Sequence, residues 1–409
     1  MSRPLEGITV LDLTWVLSGP FAAMVLSDLG ANVIKVERPP YGDVSRTTGP
    51  YQNGWSGYFF SINRGKRSMS IDLRSEEGKE LFLSLADHVD VVMENFTPGT
   101  MERIGIGYEV LAARNPRLIF ASTSGFGQDG PYRDRPALDV IVQGMGGVMS
   151  ITGEPGGGPV RPGASYGDIT AGLYTAIGIL AALHERDGSD LGQAIDISML
   201  DCQVSVLENA IVRRAITGKD PVPLGTRHPS ATPFQAFPTS DGYVVVALAF
   251  GGEDQWQLLC GLLGKTELID DARFDTGPRR TANHAVLEPV LNDGFRRRTT
   301  AEWIEELLAA GIPCGPLNTV GDVMGDPQIA HRKMIVDVSH PVAGTLPIAN
   351  TPVRMSRSET GIGGPPPDFG VDGPDVLREL LGMDEATITD LVARGVLVTE
   401  GGPDIAALL

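Results

Sequence analysis

The sequence predicts an α/β protein, a parallel sheet covered by helices on both faces, with a second and smaller α+β domain. Two observations carry this. Short β-branched runs alternate with helical patterns through the first half of the chain, as strands and crossover helices do in a parallel sheet. After about Gly218 the alternation gives way to a Pro-rich passage, KDPVPLGTRHPSATPFQAFPT, where turn and loop signals dominate. No internal repeat of fixed period is evident.

The elements follow in order. Ile8–Thr14 is β-branched and apolar, a strand. Pro20 opens an apolar helix that ends at Gly30, the proline-first and glycine-last asymmetry of helices. Val33–Glu37 is the second strand and closes one βαβ unit. The pattern continues with strand Ser68–Leu73, helix Glu76–His88, strand Asp90–Glu94 and strand Leu118–Ser122. Next come a helix near Leu138–Val148, an apolar helix from Ile169, and strand Ala194–Ser198. In the second domain, Asp241-Gly242 is a turn before strand Tyr243–Leu248. Helical patterns follow at Asp254–Leu263, Ala285–Arg297 and Ala301–Ala310. A glycine- and proline-rich linker, Gly361–Pro367, precedes the last helical pair, Pro374–Leu381 and Asp384–Ala393.

The 409 residues suit two to three domains of ~150 residues each. With 42% hydrophobic and 21% charged residues, wholesale disorder is excluded. The net charge of −18 repels phosphate backbones and argues against nucleic acid and anionic membranes as main partners. It leaves room for a local basic pocket. Cys202, Cys260 and Cys314 are odd in number and never in CxxC spacing. A disulfide framework or a zinc cluster is not expected, and a reducing cytoplasm is. The six histidines contain no HExxH pair, so no metal site is predicted. MSRPLEGITVLDLT runs directly into a strand, with no signal peptide visible. The uncharged stretch Ile169–Leu183 is too short for a membrane span and reads as a buried helix.

The first βαβ unit invites a dinucleotide reading, because Glu37 ends the second strand. The turn after the first strand is WVLSGP rather than GxGxxG, so the close backbone approach that a pyrophosphate needs is not provided. Basic residues cluster at strand ends: Arg38, then Arg64, Lys66 and Arg67 in NRGKRS, then Arg74 and Arg103. Ligands of open α/β sheets bind outside those ends, and arginine forks suit phosphates. Solvated surface charge is the bland alternative for each. Asp168 follows Gly167 and precedes the most apolar helix. Spacing alone reads it as an N-cap. The functional reading is a carboxylate nucleophile that attacks a thioester carbonyl.

These residues carry a resemblance. The segments PLEGITVLDLT, SGPFAAMVLSDLGANVIKVERP, NRGKRSMSIDL, ENFTPG, SGFGQDGP, GDITAGLYTAIGILAAL, GQAIDISMLD, GTRHPS and GIPCGP, with the GD..R of Gly42–Arg46, extend from residue 4 to about residue 318. In their order and spacing the chain resembles a family III CoA-transferase, the group that includes formyl-CoA transferase and the succinyl-CoA:glutarate enzymes. The resemblance implies a Rossmann-like large domain over residues 1–220, a small domain over 221–327, and a C-terminal segment, 328–409, that returns to the large domain. It also implies a ring-like homodimer whose two chains interlock.

The family's nucleophile falls on Asp168. By the same resemblance, Arg38, Leu73, Arg74, Asn95, Phe96 and Arg103 line the CoA site. Leu17 and Ser18 occupy the loop that approaches the thioester. Asp139 stands with this set, as an acid near Asp168 or as a helix cap. CoA and its thioesters are substrates, with no metal and no tightly bound cofactor. The family's formyl-CoA transferase has glutamine at the position of Leu17 and histidine at that of Trp15, so the site facing the acyl group differs. The stretch Gly225–Pro233 looks like that of members using dicarboxylates. Arg227 or His228 would then meet a distal carboxylate, and for His228 an ordinary loop hydrogen bond is the alternative. Succinyl-CoA with a short dicarboxylate is the favoured pair. A racemase of the same superfamily needs a His–Asp pair where this chain has Ala137-Leu138-Asp139. That base is missing, and proton abstraction at an α-carbon requires one. A CoA-binding protein without catalysis is the remaining alternative.

Overall fold

The computed structural model describes residues 2–248 and 253–403. They form two compact units, one of Met1–Met149, Arg161–Gly218 and Ala330–Leu409, the other of Ser150–Val160 and Lys219–Ile329. The second unit thus takes in Ser150–Val160, which a linear division at residue 220 leaves in the large domain.

The first unit is built on six parallel strands: β1 (Thr9–Asp12), β2 (Asn32–Glu37), β3 (Arg67–Ile71), β4 (Val91–Glu94), β5 (Ile119–Ser124) and β6 (Ala194–Ser198). Their order is β3-β2-β1-β4-β5-β6, that of a doubly wound Rossmann sheet. Strand Leu397–Val398 adds an antiparallel edge, pairing with Ile71 and Ser70. Successive residues of a strand face opposite sides, and each side here has its own core. Val10, Val33, Val91 and Ile119 pack with Leu26 and Ile179 on one face. Leu11, Ile34, Val92 and Phe120 pack with Phe82 and Leu377 on the other. The β1–β2–β4–β5 centre is buried on both sides, which explains its unbroken apolar runs.

Seven helices of this unit bear on the site: α1 (Ser18–Asp28), α2 (Gly57–Ile62), α3 (Glu76–Ala86), α4 (Thr100–Arg103), α5 (Tyr108–Arg114), α6 (Asp139–Met145) and α7 (Tyr166–Ser189). Ser75 caps α3 through the Gly78 N–H, and Glu76 and Glu77 sit in its first turn, where the helix dipole favours acids. The buried stripe of α7 includes Ala171, Gly172, Thr175, Ala176 and Ile179. These small residues let α7 lie close on α1.

The second unit holds a three-stranded antiparallel sheet: β7 (Phe234–Pro238), β8 (Tyr243–Ala247) and β9 (Cys314–Pro316). Its core includes Phe237, Val244, Val246, Trp256, Phe295 and Trp303. Phe237 stacks on Phe295 at 4.6 Å. β7 lies inside the Pro-rich passage, where no regular element was expected. Pro233 and Pro238 bracket it, yet Gln235 and Phe237 are buried in alternation. Tertiary pairing with β8 overrides weak local propensity.

Gly172 marks the tightest point between α1 and α7. A Cβ there would lie 2.6 Å from the Ser18 carbonyl oxygen and 3.1 Å from Phe21 Cβ. Gly172→Ala forces the two helices apart, and we expect a loss of about 1–3 kcal/mol. Urea denaturation checks this; unchanged stability would mean the helices are not in backbone contact.

Candidate active site

The site begins with buried charge at the ends of β1 and β2. Lys66 Nζ donates to Asp12 Oδ2 at 2.9 Å, to Asn63 Oδ1 at 2.9 Å and to the Pro20 carbonyl at 3.1 Å. Lys35 Nζ donates to the Thr14 carbonyl at 2.7 Å and pairs with Asp43 Oδ2 at 2.8 Å. Glu37 takes a two-pronged contact from Arg46, at 2.7 and 2.8 Å, and a hydrogen bond from Ser68 Oγ. Burial alone would raise the Asp43 carboxyl, but Lys35 and the Ser45 N–H and hydroxyl hold it down at about 2. Burial pushes Lys66 down to about 8 against the pull of Asp12.

This network fixes the loop between β1 and α1. Asp43 Oδ1 accepts from the Val16 N–H at 3.1 Å. From the β4 side, Asn95 Oδ1 accepts from Trp15 N at 2.9 Å, and Asn95 Nδ2 donates to the Trp15 carbonyl at 2.9 Å. Val16 has φ of 66°, a left-handed conformation that is costly for a β-branched residue. Such strain persists only where the surroundings over-determine it, and here both flanks are held. The loop sits at the β1/β4 switch point, where ligands of doubly wound sheets bind.

Beside the loop opens a cleft of about 650 Å³, a size that suits a small-molecule site. Its walls include Trp15, Arg38, Tyr41, Leu73, Arg74 and Phe96, and Lys35 and Asp43 reach it from the network. Of the residues expected at a CoA site, Arg38, Leu73, Arg74 and Phe96 meet here. Arg74 is paired with Asp72 at 2.7 Å. Leu17 and Ser18 are buried and do not line this cleft. Asn95 spends both ends of its amide on the loop. Arg103 is at the end of α4, whose Thr100 lines the cleft, and it donates to Thr100 Oγ1 at 2.7 Å. Glu94, one residue before Asn95, is a buried acid pushed up to about 7 by burial, against hydrogen bonds from Ser122 and the Phe96 N–H.

Asp168 is not the N-cap of α7. That place belongs to Ser165, and Asp168 is the third residue of the helix. The capping is done from outside: Asp139 Oδ1 accepts from the Gly167 N–H at 2.8 Å and the Asp168 N–H at 3.4 Å. A Cβ on Gly167 would lie 3.0 Å from that oxygen and 2.8 Å from Val142, so glycine makes room for the cap. Asp139 also takes Gln143 at 2.8 Å and Arg161 at 2.7 Å. Asp139 is the first residue of α6, after the N-cap Leu138, and its carboxylate reaches the start of α7. Burial first, and the Asp139 charge second, push Asp168 up to about 7, with Arg161 opposing.

Tyr58 on α2, which the sequence did not single out, feels Asp168, Asp43 and Asp139. Its phenol is pushed up to about 12 by burial and these charges, so it remains a neutral donor at physiological pH. Gly172, one turn beyond Asp168, lies against the first turn of α1. The β1–α1 loop therefore has Trp15 on the cleft and runs into Ser18, the first residue of α1, whose carbonyl faces α7.

Arg227 and His228 belong to the second unit. The His228 ring lies 5.0 Å from that of Phe234, and its Nδ1 accepts from the Ser230 N–H at 3.1 Å. Among the described residues no three His, Cys, Asp or Glu side chains group as a metal site.

A Rossmann-order sheet with an arginine-flanked cleft at its switch point is the architecture of a nucleotide-binding α/β enzyme. The chain belongs to CoA-transferase family III, whose family model matches residues 5–373, and it is a CoA-transferase. It is 39% identical over 396 residues to the succinyl-CoA:glutarate CoA-transferase of Mus musculus, covering 97% of this chain and 90% of that protein. It is 41% identical over 354 residues to the acetyl-CoA:oxalate CoA-transferase of Acetobacter aceti, covering 86% and 89%. A solved structure of a CAIB/BAIF family protein from Brucella suis is 40% identical, with a TM-score of 0.83, covering 93% of this chain and 100% of that one.

Two outcomes follow from the electrostatics. Lys66→Met leaves Asp12 buried without its main partner and should cost about 3 kcal/mol or more. Asp12→Asn in the same chain should recover part of that loss in urea denaturation; no recovery would mean the pair is not coupled. The unfolded chain releases the Asp168 proton near 3.8 and the folded chain at about 7. Stability from the protonated carboxyl is full below the first value and is lost as pH rises through the second. Asp168→Asn mimics the protonated form. It should match wild type at low pH and exceed it above neutrality by roughly 1–3 kcal/mol. A gap that does not grow with pH would show an unperturbed carboxyl.

Proposed function

We propose that this CoA-transferase moves CoA from succinyl-CoA to a short dicarboxylate through covalent intermediates on Asp168. The observation that carries the reading is the placement of Asp168: a half-buried carboxylate at the start of α7, one turn from Gly172, where α7 meets the first residue of α1, just after the loop whose Trp15 lines the cleft. A dicarboxylate acceptor is supported by the two relatives' names, which give glutarate and oxalate, and succinyl-CoA as donor by the first of them alone.

The cycle balances without any other reactant. An Asp168 oxygen attacks the thioester carbonyl, the C–S bond breaks, and CoA leaves as thiolate from a mixed anhydride. The thiolate attacks Asp168 Cγ and expels the donor acid as a carboxylate, leaving an aspartyl-CoA thioester. The acceptor carboxylate attacks the same Cγ, and thiolate leaves again. Thiolate then takes the acceptor's acyl carbon and frees Asp168. Arg161 is the cation acting on Asp168, and it offsets the charge that an acceptor carboxylate brings to a site already holding two acids. The N–H groups of Gly167 and Asp168 are occupied by Asp139, so other donors must serve the oxyanions. Racemisation is disfavoured because the residue before Asp139 is leucine rather than histidine and the Asp139 carboxylate is spent on the helix cap and Arg161.

We further propose a homodimer of interlocked chains. In support, Leu173, Tyr174 and Ile177 on α7 and Val140, Ile141 and Met145 on α6 are large apolar side chains left exposed, more than a solitary surface usually carries. Sedimentation that finds only the 43.5 kDa chain would overturn the dimer.

Incubation with succinyl-CoA followed by hydroxylamine should convert Asp168 to a hydroxamate, located by peptide mass spectrometry. Asp168→Ala should give no hydroxamate and no measurable transfer to dicarboxylates while still binding CoA. Undiminished transfer by that variant would sink the mechanism.

A further inference from the structure

Arg133, in the loop after β5, has no role in the reading above. Its side chain is half-buried, and its Nε is fully shielded with no hydrogen-bond partner. Its Nη2 lies 3.3 Å from where a Gly99 Cβ would stand, and Arg103 Nη1 lies 3.4 Å from the same point. The two guanidiniums therefore flank Gly99 closely. Among the described residues neither forms an ion pair; Arg103 has only the Thr100 hydroxyl. That is unusual in a chain with 51 acidic residues against 33 basic ones, where acidic partners are plentiful. Two like charges held together without a counterion repel, and a bound anion relieves this.

The arrangement is pre-set rather than a product of loose side chains. Gly127 N–H donates to Ser124 Oγ at 3.0 Å and Gln128 N–H to Asp196 Oδ2 at 2.9 Å. Arg135 stacks over Tyr132 at 3.8 Å, and Tyr132 meets Phe126 edge-on at 5.7 Å. The loop that carries Arg133 is thus tied at its start and packed on itself through Tyr132. Gly99 is next to Thr100, which lines the cleft with Phe96. An anion between the two arginines would be continuous with a ligand in the cleft. Guanidinium forks bind phosphate oxygens in pairs, with little ordering cost when already fixed.

We infer that Arg133 and Arg103 form a phosphate subsite for the nucleotide end of the CoA thioester. This rests on the CoA reading and adds Arg133 to it. The chemistry is shared by the diphosphate and the 3′-phosphate of CoA, so the test separates them. Binding of CoA, 3′-dephospho-CoA and pantetheine is measured by calorimetry for wild type, Arg133→Gln and Arg133→Lys. Arg133→Gln should weaken CoA about tenfold and leave pantetheine unchanged, and Arg133→Lys should recover part of the loss. An equal loss for 3′-dephospho-CoA assigns the diphosphate; no loss for that ligand assigns the 3′-phosphate. CoA affinity unchanged in Arg133→Gln, or a parallel loss for pantetheine, overturns the subsite. A wild-type protein that binds no CoA overturns the CoA reading as well, a result distinct from equal binding by wild type and variant.

Discussion

The Lys35–Asp43 pair is the interaction on which the site depends. Lys35 comes from β2 and is wholly buried, a placement tolerated only when the charge is paired and hydrogen-bonded. Its two partners are the Thr14 carbonyl and the Asp43 carboxylate, and Asp43 passes the constraint on through the Val16 N–H. A buried ion pair of this kind adds little net stability. Its effect is positional: it dictates where the loop between β1 and α1 runs, and Val16 accepts a strained φ as a result. Asn95 reaches the same loop from the strand on the other side of the switch point. The course of the loop beside the cleft is therefore set by the sheet rather than by the loop's own preferences.

The local parts of this design were legible in the sequence, and the tertiary ones were not. The β1–α1–β2 unit was readable because apolar periodicity, Pro20 and Gly30 all report on neighbours a few residues away. β7 was hidden because its prolines lower local propensity while its stability comes from pairing with β8. Strand Leu397–Val398 was invisible for a similar reason: two residues carry no pattern, and only the edge of β3 makes them a strand. The expected CoA-site residues divided along the same line. Arg38, Leu73, Arg74 and Phe96 stand at strand ends and reach the cleft. Leu17 and Ser18 turn inward, since the loop geometry that orients them is imposed from Asp43 and Asn95. The spacing around Asp168 suggested an N-cap, but the cap is Asp139, 29 positions earlier, and no local signal could reveal it. Tyr58 and Arg133 have no motif of their own; their meaning comes from what surrounds them.

The capping arrangement sets the basicity that Asp168 would bring to the proposed attack. An aspartate in the first turn of a helix is ordinarily stabilised as the anion by the exposed N–H groups. Here Asp139 occupies those of Gly167 and Asp168, so Asp168 is denied that stabilisation and faces a second negative charge instead. The result is a carboxylate pushed up to about 7, more basic than a solvated one. Greater basicity brings greater nucleophilicity toward a carbonyl, at the cost of a smaller ionised fraction, and a value near neutrality balances the two. In the proposed cycle, acylation would also remove the Asp168 charge. In that cycle the repulsion from Asp139 and the burial penalty would both be relieved as the anhydride or thioester forms, raising the ground state relative to the intermediates. Arg161 limits the effect by keeping the resting anion accessible. In the proposed cycle Asp139 would act through the helix end and the field at Asp168, without touching the substrate.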